Sequence, residues 1–185
     1  MPAPAASPRA ETARPGLGRV LALTGADAAT AGQRLAPALA QVAAAAFAGP
    51  PWHEAAPDAA RSVDRMLACA RHGSFALAVA FAPEGPGLDG FAYGRPGWHP
   101  AVPGGYPPDP ACAAPFELCE LAVRPSARGR GAGAALHDAI VAASGPRRRW
   151  LTTHPAARPA LGLYRSRGWQ TIRLLPSARD GAPGC

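Results

Sequence analysis

Two carboxylates, Glu117 and Glu120, stand three residues apart in the segment Phe-Glu-Leu-Cys-Glu-Leu-Ala-Val, which ends at Val123. Shortly after it comes Arg128-Gly129-Arg130-Gly131-Ala132-Gly133, and later a phenol, Tyr164. A carboxylate can act as a general base and a phenol as a general acid. A glycine-rich turn at a helix start can hold phosphate, because its backbone N–H groups point outward unpaired and the helix dipole adds positive potential. The five histidines, His53, His72, His99, His137 and His154, show no metal-ligand spacing. The cysteines at 69, 112, 119 and 185 match neither a zinc pattern nor a short disulfide scaffold. The expectation is a metal-free, reduced, cytoplasmic protein. Cys119 reads as a small buried hydrophobe, since nothing near it in sequence marks an activated thiol.

Several phosphate-binding devices share such a turn. A P-loop needs a lysine after its last glycine, and this chain has no lysine. A dinucleotide fold needs an acidic residue about 20 positions beyond its glycines. Gly129-x-Gly131-x-x-Ala134 fits the glycine pattern, but no Asp or Glu occurs between Asp138 and Asp180.

The third device fits more residues. Arg128-x-x-Gly131-x-Gly133, five residues beyond Val123, resembles the pyrophosphate loop of the GNAT superfamily of acyl-CoA-dependent N-acyltransferases. Gly131 and Gly133, lacking Cβ, would let phosphate oxygens approach the main chain, and Arg128 and Arg130 would add charge. A second segment, Pro-Ala-Leu-Gly-Leu-Tyr-Arg-Ser-Arg-Gly-Trp, is similar to the family's late motif, with Ala160, Leu163, Tyr164, Gly168 and Trp169 at its positions. The family often carries Asn three residues before that alanine, at a position that contacts the pantetheine arm, and this chain departs from the pattern with Ala157. The resemblance covers residues 116–172; the first half of the chain matches only in the order of its elements.

The resemblance implies an N-acetyltransferase that uses acetyl-CoA, or another acyl-CoA, without a metal. Gly129 to Gly133 would hold the pyrophosphate. Leu121, Ala122 and Val123 would lie along the pantetheine arm, and an N–H near Leu121 would polarise the thioester carbonyl. Ala160 and Tyr164 would complete the cofactor site, with Tyr164 as proton donor to the departing thiolate. An amine attacks only when neutral, so a proton acceptor is needed beside it. Glu117 is preferred because it stands an even number of residues before Val123 and so shares its face of a regular strand. Glu120 is the second choice, and a water chain or His154 is the third. A bulge in the strand would exchange the faces. Trp52, His53, Tyr93, Trp98, Tyr106 and His154 are candidates for the acceptor wall. The acceptor would be a small-molecule amine, with a protein terminus or lysine as an alternative. A non-catalytic acyl-CoA sensor is the competing class.

These groups need a scaffold, and the chain's periodicity supplies one. Strands are expected from Arg19, over Ser74–Ala82, over Leu88–Arg95 and over Phe116–Val123, then over Arg148–His154 and Trp169–Leu175. Helices are expected after Asp27 (secure only beyond Pro37), from Asp58 to Gly73, after Gly131 and over Ala157–Arg167. The order β-α-α-β-β-β-α-β-α-β is that of a mixed α/β domain, and the resemblance makes it a GNAT-type central sheet flanked by helices. Phe116, Leu118, Leu121 and Val123 break strict alternation, so either both faces are buried or a bulge lies between Leu118 and Leu121. A proline-rich loop spans Pro96–Pro115.

The 185 residues suit one domain, expected over 18–176, after a Pro/Ala-rich unstructured leader at 1–17 and before a flexible tail at 177–185. No apolar run approaches the roughly 18 residues of a membrane span, so no membrane partner is expected. The formal charge of +7 comes entirely from arginine, and Lys and Asn are both absent. That bias reads as a GC-rich, bacterial coding sequence. The positive balance favours an anionic ligand. The run Arg147-Arg148-Arg149 lacks interleaved aromatics and any nucleic-acid motif, so no nucleic-acid partner is expected. A monomer and a homodimer are both compatible with the sequence.

Overall fold

The structure, a computed structural model, describes residues 10–14, 17–71, 73–98 and 114–175. Six strands form one sheet in sequential order: β1 (Ala10–Arg14), β2 (Leu17–Thr24), β3 (Ala76–Phe81), β4 (Leu88–Pro96), β5 (Phe116–Val123) and β6 (Arg149–Trp150). All neighbours are antiparallel except β5 and β6, which run parallel. The parallel pair needs a crossover, and helix α3 (Ala132–Ala143) provides it. Helices α1 (Gly25–Phe47) and α2 (Ala56–Cys69) connect β2 to β3, and α4 (Arg158–Arg165) follows β6. Among the described residues, no helix is long and apolar enough to cross a membrane.

The period-two pattern of the strands builds two cores. Ala76, Ala78 and Ala80 face α3 with Val20, Ala22 and Ala92, meeting Leu136 and Ile140. Leu77 and Val79 face the other way with Phe91, against Leu39 and Val42 of α1 and Met66 of α2. Small residues on the α3 face let that helix sit close to the sheet, while the larger residues of the opposite face fill the space under two helices.

Five expectations need correction. Residues 10–14, expected in an unstructured leader, form the edge strand β1, paired antiparallel to β2 with Ala10 opposite Ala22. Helix α1 runs unbroken from Gly25 through Pro37. Pro37 lies on the exposed face, so its lost hydrogen bond leaves a carbonyl to solvent, while Gly32 and Leu39 stay buried on either side. Helix α2 starts at Ala56, and Asp58 caps it from inside: its carboxylate accepts the Ala55 N–H at 3.0 Å. Trp169–Leu175, expected as a last strand, pairs with no strand among the described residues, and Ile172 and Leu174 are exposed. Strand β6 is limited to two residues instead of seven. The expected tail and the first nine residues lie outside the described residues.

Candidate active site

Strand β5 carries a bulge. Tyr93 pairs with Glu120 and the next residue, Gly94, with Leu118, which leaves Cys119 as the extra residue. A Cβ on Gly94 would clash with the Glu117 carbonyl and the Phe116 ring, so only glycine fits opposite the bulge. The bulge reverses the alternation. Phe116 and Leu118 before it, and Leu121 and Val123 after it, all pack with the α3 core. Glu117 and Glu120 therefore share the opposite face, beneath α1 and α2. The parity argument that favoured Glu117 assumed a regular strand and does not hold.

The two carboxylates differ in their surroundings. Glu117 lies opposite Arg95 in register, and its Oε2 is 3.2 Å from the guanidinium. No guanidinium forms an ion pair with Glu120 among the described residues: Ser62 of α2 donates its hydroxyl to Oε2, and Oε1 is buried with no hydrogen-bond partner among them. Burial pushes the Glu120 carboxyl up to about 7, against the lowering effect of Ser62. The charge of Glu54 adds to the rise, and that of Arg65 opposes it. Cys119 beside them is held neutral, its thiol pushed up by burial and by Glu117.

The opposite edge of β5 is open. Strand β6 pairs with it only at Phe116 and Glu117, and no strand among the described residues covers Leu118 to Val123 on that side. The open edge leads to the glycine-rich turn. The first helical bond of α3 runs from the Ala135 N–H to the Gly131 carbonyl at 3.0 Å, so the N–H groups of Ala132, Gly133 and Ala134 lie ahead of it. Gly129 and Gly131 have φ of 76° and 89°, and a Cβ on either would meet nothing within 4 Å. These glycines are required by the left-handed backbone, a conformation that can turn successive N–H groups into an anion-binding cradle. A Cβ added at Gly133 would lie in ordinary contact with Leu163, Val123 and Leu121.

The two arginines of the motif do not point into that cradle. Arg128 donates to the Ala46 carbonyl at 2.8 Å and to the Val123 carbonyl at 3.3 Å, tying the end of α1 to the end of β5. Arg130 donates to the Ser126 carbonyl at 3.1 Å and lies 3.6 Å from Asp89. An anion at this turn would therefore meet main-chain N–H groups rather than the two guanidiniums.

Tyr164 of α4 packs against the α3 core. Burial pushes its phenol up to about 12, so it carries its proton at neutral pH. No hydrogen-bond partner holds its hydroxyl among the described residues. Its ring is flanked by His137 and Trp169, at centroid distances of 6.2 and 6.0 Å. The Trp169 indole N–H donates to Nε2 of His137 at 2.8 Å, while Nδ1 faces Asp138 at 2.9 Å. Arg167 in turn binds Asp138 through two nitrogens at 2.7 and 3.1 Å. Burial holds His137 below its usual range, so the ring is neutral and Nε2 is free to accept. This latch fastens α4 to α3 behind Tyr164. The sequence offered one sign of it, a histidine among the apolar positions of α3. Ala160 is half-buried on the same short helix, and Ala157 is buried.

Of the expected acceptor-wall residues, Trp52 and His154 come together, their rings 5.7 Å apart edge to face. They join the α1–α2 loop to the segment after β6. His154 accepts the Ala156 N–H through Nδ1 at 3.0 Å. His53, beside Trp52, is exposed, with a left-handed φ of 50°. Tyr93 is a core residue, 5% exposed, packed on Phe75. Burial and the Glu120 charge push its phenol far above the usual range. Trp98 is half-buried at the end of β4, and Tyr106 lies outside the described residues. Ser62 was not anticipated. Its signal was a hydroxyl at a buried position of α2, in the stripe Ala59, Ser62, Val63, Met66.

The acetyltransferase (GNAT) family model matches residues 37–169. The fold is similar to that of the aminoglycoside N-acetyltransferase AAC(6')-Iy solved with the bisubstrate analogue CoA-S-monomethyl-acetylneamine, at 16% identity and a TM-score of 0.55, over 78% of this chain and 90% of that one. The same enzyme solved with CoA gives 14% identity and a TM-score of 0.57 over 93% and 95%. A structure from Corynebacterium glutamicum, described as histone acetyltransferase HPA2 and related acetyltransferase, gives 23% and 0.59 over 84% and 87%. No curated protein matches by sequence.

Proposed function

We propose, on the premise that the chain belongs to the acetyltransferase (GNAT) family, that it transfers an acetyl group from acetyl-CoA to the amine of a small molecule by direct attack in a ternary complex. One observation carries the reading. The β5 edge loses its partner after Glu117 and leads to a helix start built on two left-handed glycines.

The residues suit an acyl-CoA. Main-chain N–H groups from Gly129 to Ala134 would hold the pyrophosphate, and the open β5 edge at Leu121 and Val123, where the Val123 carbonyl already accepts from Arg128, would take an amide-bearing arm as a strand would. When bound, acetyl-CoA supplies the activated acetyl carbonyl. Glu120 takes a proton from the acceptor nitrogen, which arrives charged at neutral pH. A base poised at about 7 is ionised often enough to accept that proton and basic enough to remove it. The C–N bond forms as the C–S bond breaks, the sulfur leaves as a thiolate that receives the proton of Tyr164, and the second proton shed by the nitrogen restores the Tyr164 phenol. Glu117, neutralised by Arg95, is a structural partner in this scheme.

The choice of a small amine over a protein terminus takes the Trp52–His154 contact as one wall of the acceptor site. The likeness to an aminoglycoside acetyltransferase agrees with this but shows the fold alone. The test is release of CoA thiol from acetyl-CoA in the presence of a panel of aminoglycosides, polyamines, amino acids and short peptides. Products are identified by mass spectrometry. Acetylation of a small amine is expected. Turnover only with peptides would overturn the acceptor assignment.

A further inference from the structure

The Glu120 carboxyl has two oxygens in unlike states. Oε2 accepts a hydrogen bond from Ser62, and Oε1 is buried and bare. Ser62 itself is 4% exposed, locked into the apolar stripe of α2 beside Val63 and Met66. A serine inside a helix commonly bonds back to a carbonyl of the preceding turn. This one spends its single proton on a strand 58 residues away in sequence. The terminal torsion of a glutamate is broad and nearly two-fold, so an unanchored carboxyl presents either oxygen. A donor fixed to one oxygen removes that freedom.

We propose that Ser62 is a positioning residue for acetyl transfer: by holding Oε2 of Glu120, its hydroxyl leaves Oε1 as the atom that takes the proton of the acceptor amine. The inference rests on the reading of Glu120 as the base. It also assigns Ser62 a second effect. A hydrogen bond to the ionised carboxylate favours that form and restrains the rise that burial imposes. The other groups facing Glu120 are Glu54 from the α1–α2 loop, Arg65 from α2, Tyr93 from β4 and the neighbouring Cys119. Tyr93 and Cys119 are held neutral by burial. Glu54 and Arg65 act in opposite directions. The Ser62 hydroxyl is the one direct donor to the carboxyl among the described residues.

The test compares Ser62→Ala and Ser62→Thr with the parent. Carbon-13 carboxyl resonances follow the Glu120 titration, and the pH profile of kcat/KM follows the chemistry with the best amine of the panel. Loss of a hydrogen bond to a charged group should raise the Glu120 pKa in Ser62→Ala by about one to two pH units. The acidic limb of the profile should move up by the same amount. Ser62→Thr, which keeps the hydroxyl, should restore both. A Glu120 titration unmoved in Ser62→Ala overturns the proposal and leaves the base assignment standing. A titration that moves while the kinetic limb stays in place shows that Glu120 is not the base, and both readings fall.

Discussion

Replacing Glu120 by Gln should slow the enzyme and at the same time stabilise it at alkaline pH. The carboxyl is pushed up from 4.5 to about 7 by burial. The folded protein therefore holds this proton more tightly than the unfolded chain does. Below pH 4.5 the group is neutral in both states and costs nothing. As pH rises from 4.5 through 7, the unfolded chain ionises first and stability falls; above 7 the full cost is present. At roughly 1.4 kcal/mol per pH unit, that cost is about 3 kcal/mol. Glutamine does not titrate. It keeps an acceptor for Ser62 but leaves its amide where Oε1 was bare, a constant penalty of about 1–3 kcal/mol at every pH. The constant cancels when the variant and the parent are compared at two pH values. Urea unfolding at pH 4 and pH 8 should thus show the stability difference shifting by about 3 kcal/mol in favour of Glu120→Gln at the higher pH. Parallel curves for the two proteins would refute the reasoning, because they would mean that Glu120 titrates like a surface carboxylate. Turnover at pH 7 should fall by about 10²–10⁴-fold, the range of acid–base catalysis, and recover in part at high pH as the amine loses its proton unaided.

Tyr164→Phe should lower kcat by roughly 10–10³-fold with acetyl-CoA affinity almost unchanged, since the ring and its packing remain; unchanged turnover with chemistry rate-limiting would remove Tyr164 from the mechanism. Arg128→Ala should cost about 1 kcal/mol of stability, because two carbonyls lose a partly exposed charged donor. Its acetyl-CoA affinity measured by calorimetry should stay close to the parent's, and a collapse of affinity at intact stability would put the guanidinium back on the phosphate. Gly131→Glu should abolish acetyl-CoA binding by placing bulk and negative charge at a left-handed position that opens on the cradle, and calorimetry showing parental affinity in the folded variant would remove the anion site from the α3 start.

The parts of the fold written in local periodicity were legible. The short apolar runs of β3 and β4 and the helical spacing of Leu136 and Ile140 marked the elements. The bulge was visible as a lapse in alternation between Leu118 and Leu121. Its consequence for Glu117 and Glu120 was not, because only pairing against Gly94 shows which residue is extra. Arg128 misled for a related reason. Charge beside a glycine-rich turn suggests phosphate, but the tertiary fold brings the Ala46 carbonyl within reach of the guanidinium. Ser62 carried too little information alone, since its partner is a strand far along the chain. The β-rich composition of Trp169–Leu175 indicated a strand, yet a strand needs a neighbour, and the two residues of β6 do not provide one. Proline and alanine near the start suggested an unstructured leader, and pairing with β2 overrode that local preference at Ala10–Arg14.

The central claim is that acyl-CoA lies along the open edge of β5 with its pyrophosphate at the start of α3. Amide hydrogen exchange of the unaltered protein, with and without saturating acetyl-CoA, tests it directly. The account predicts slowed exchange in two places, the Gly129–Ala134 turn and the Leu121–Val123 edge, with β1 and the exposed face of α1 unchanged. Acetyl-CoA that binds by calorimetry while both segments exchange as before would contradict it.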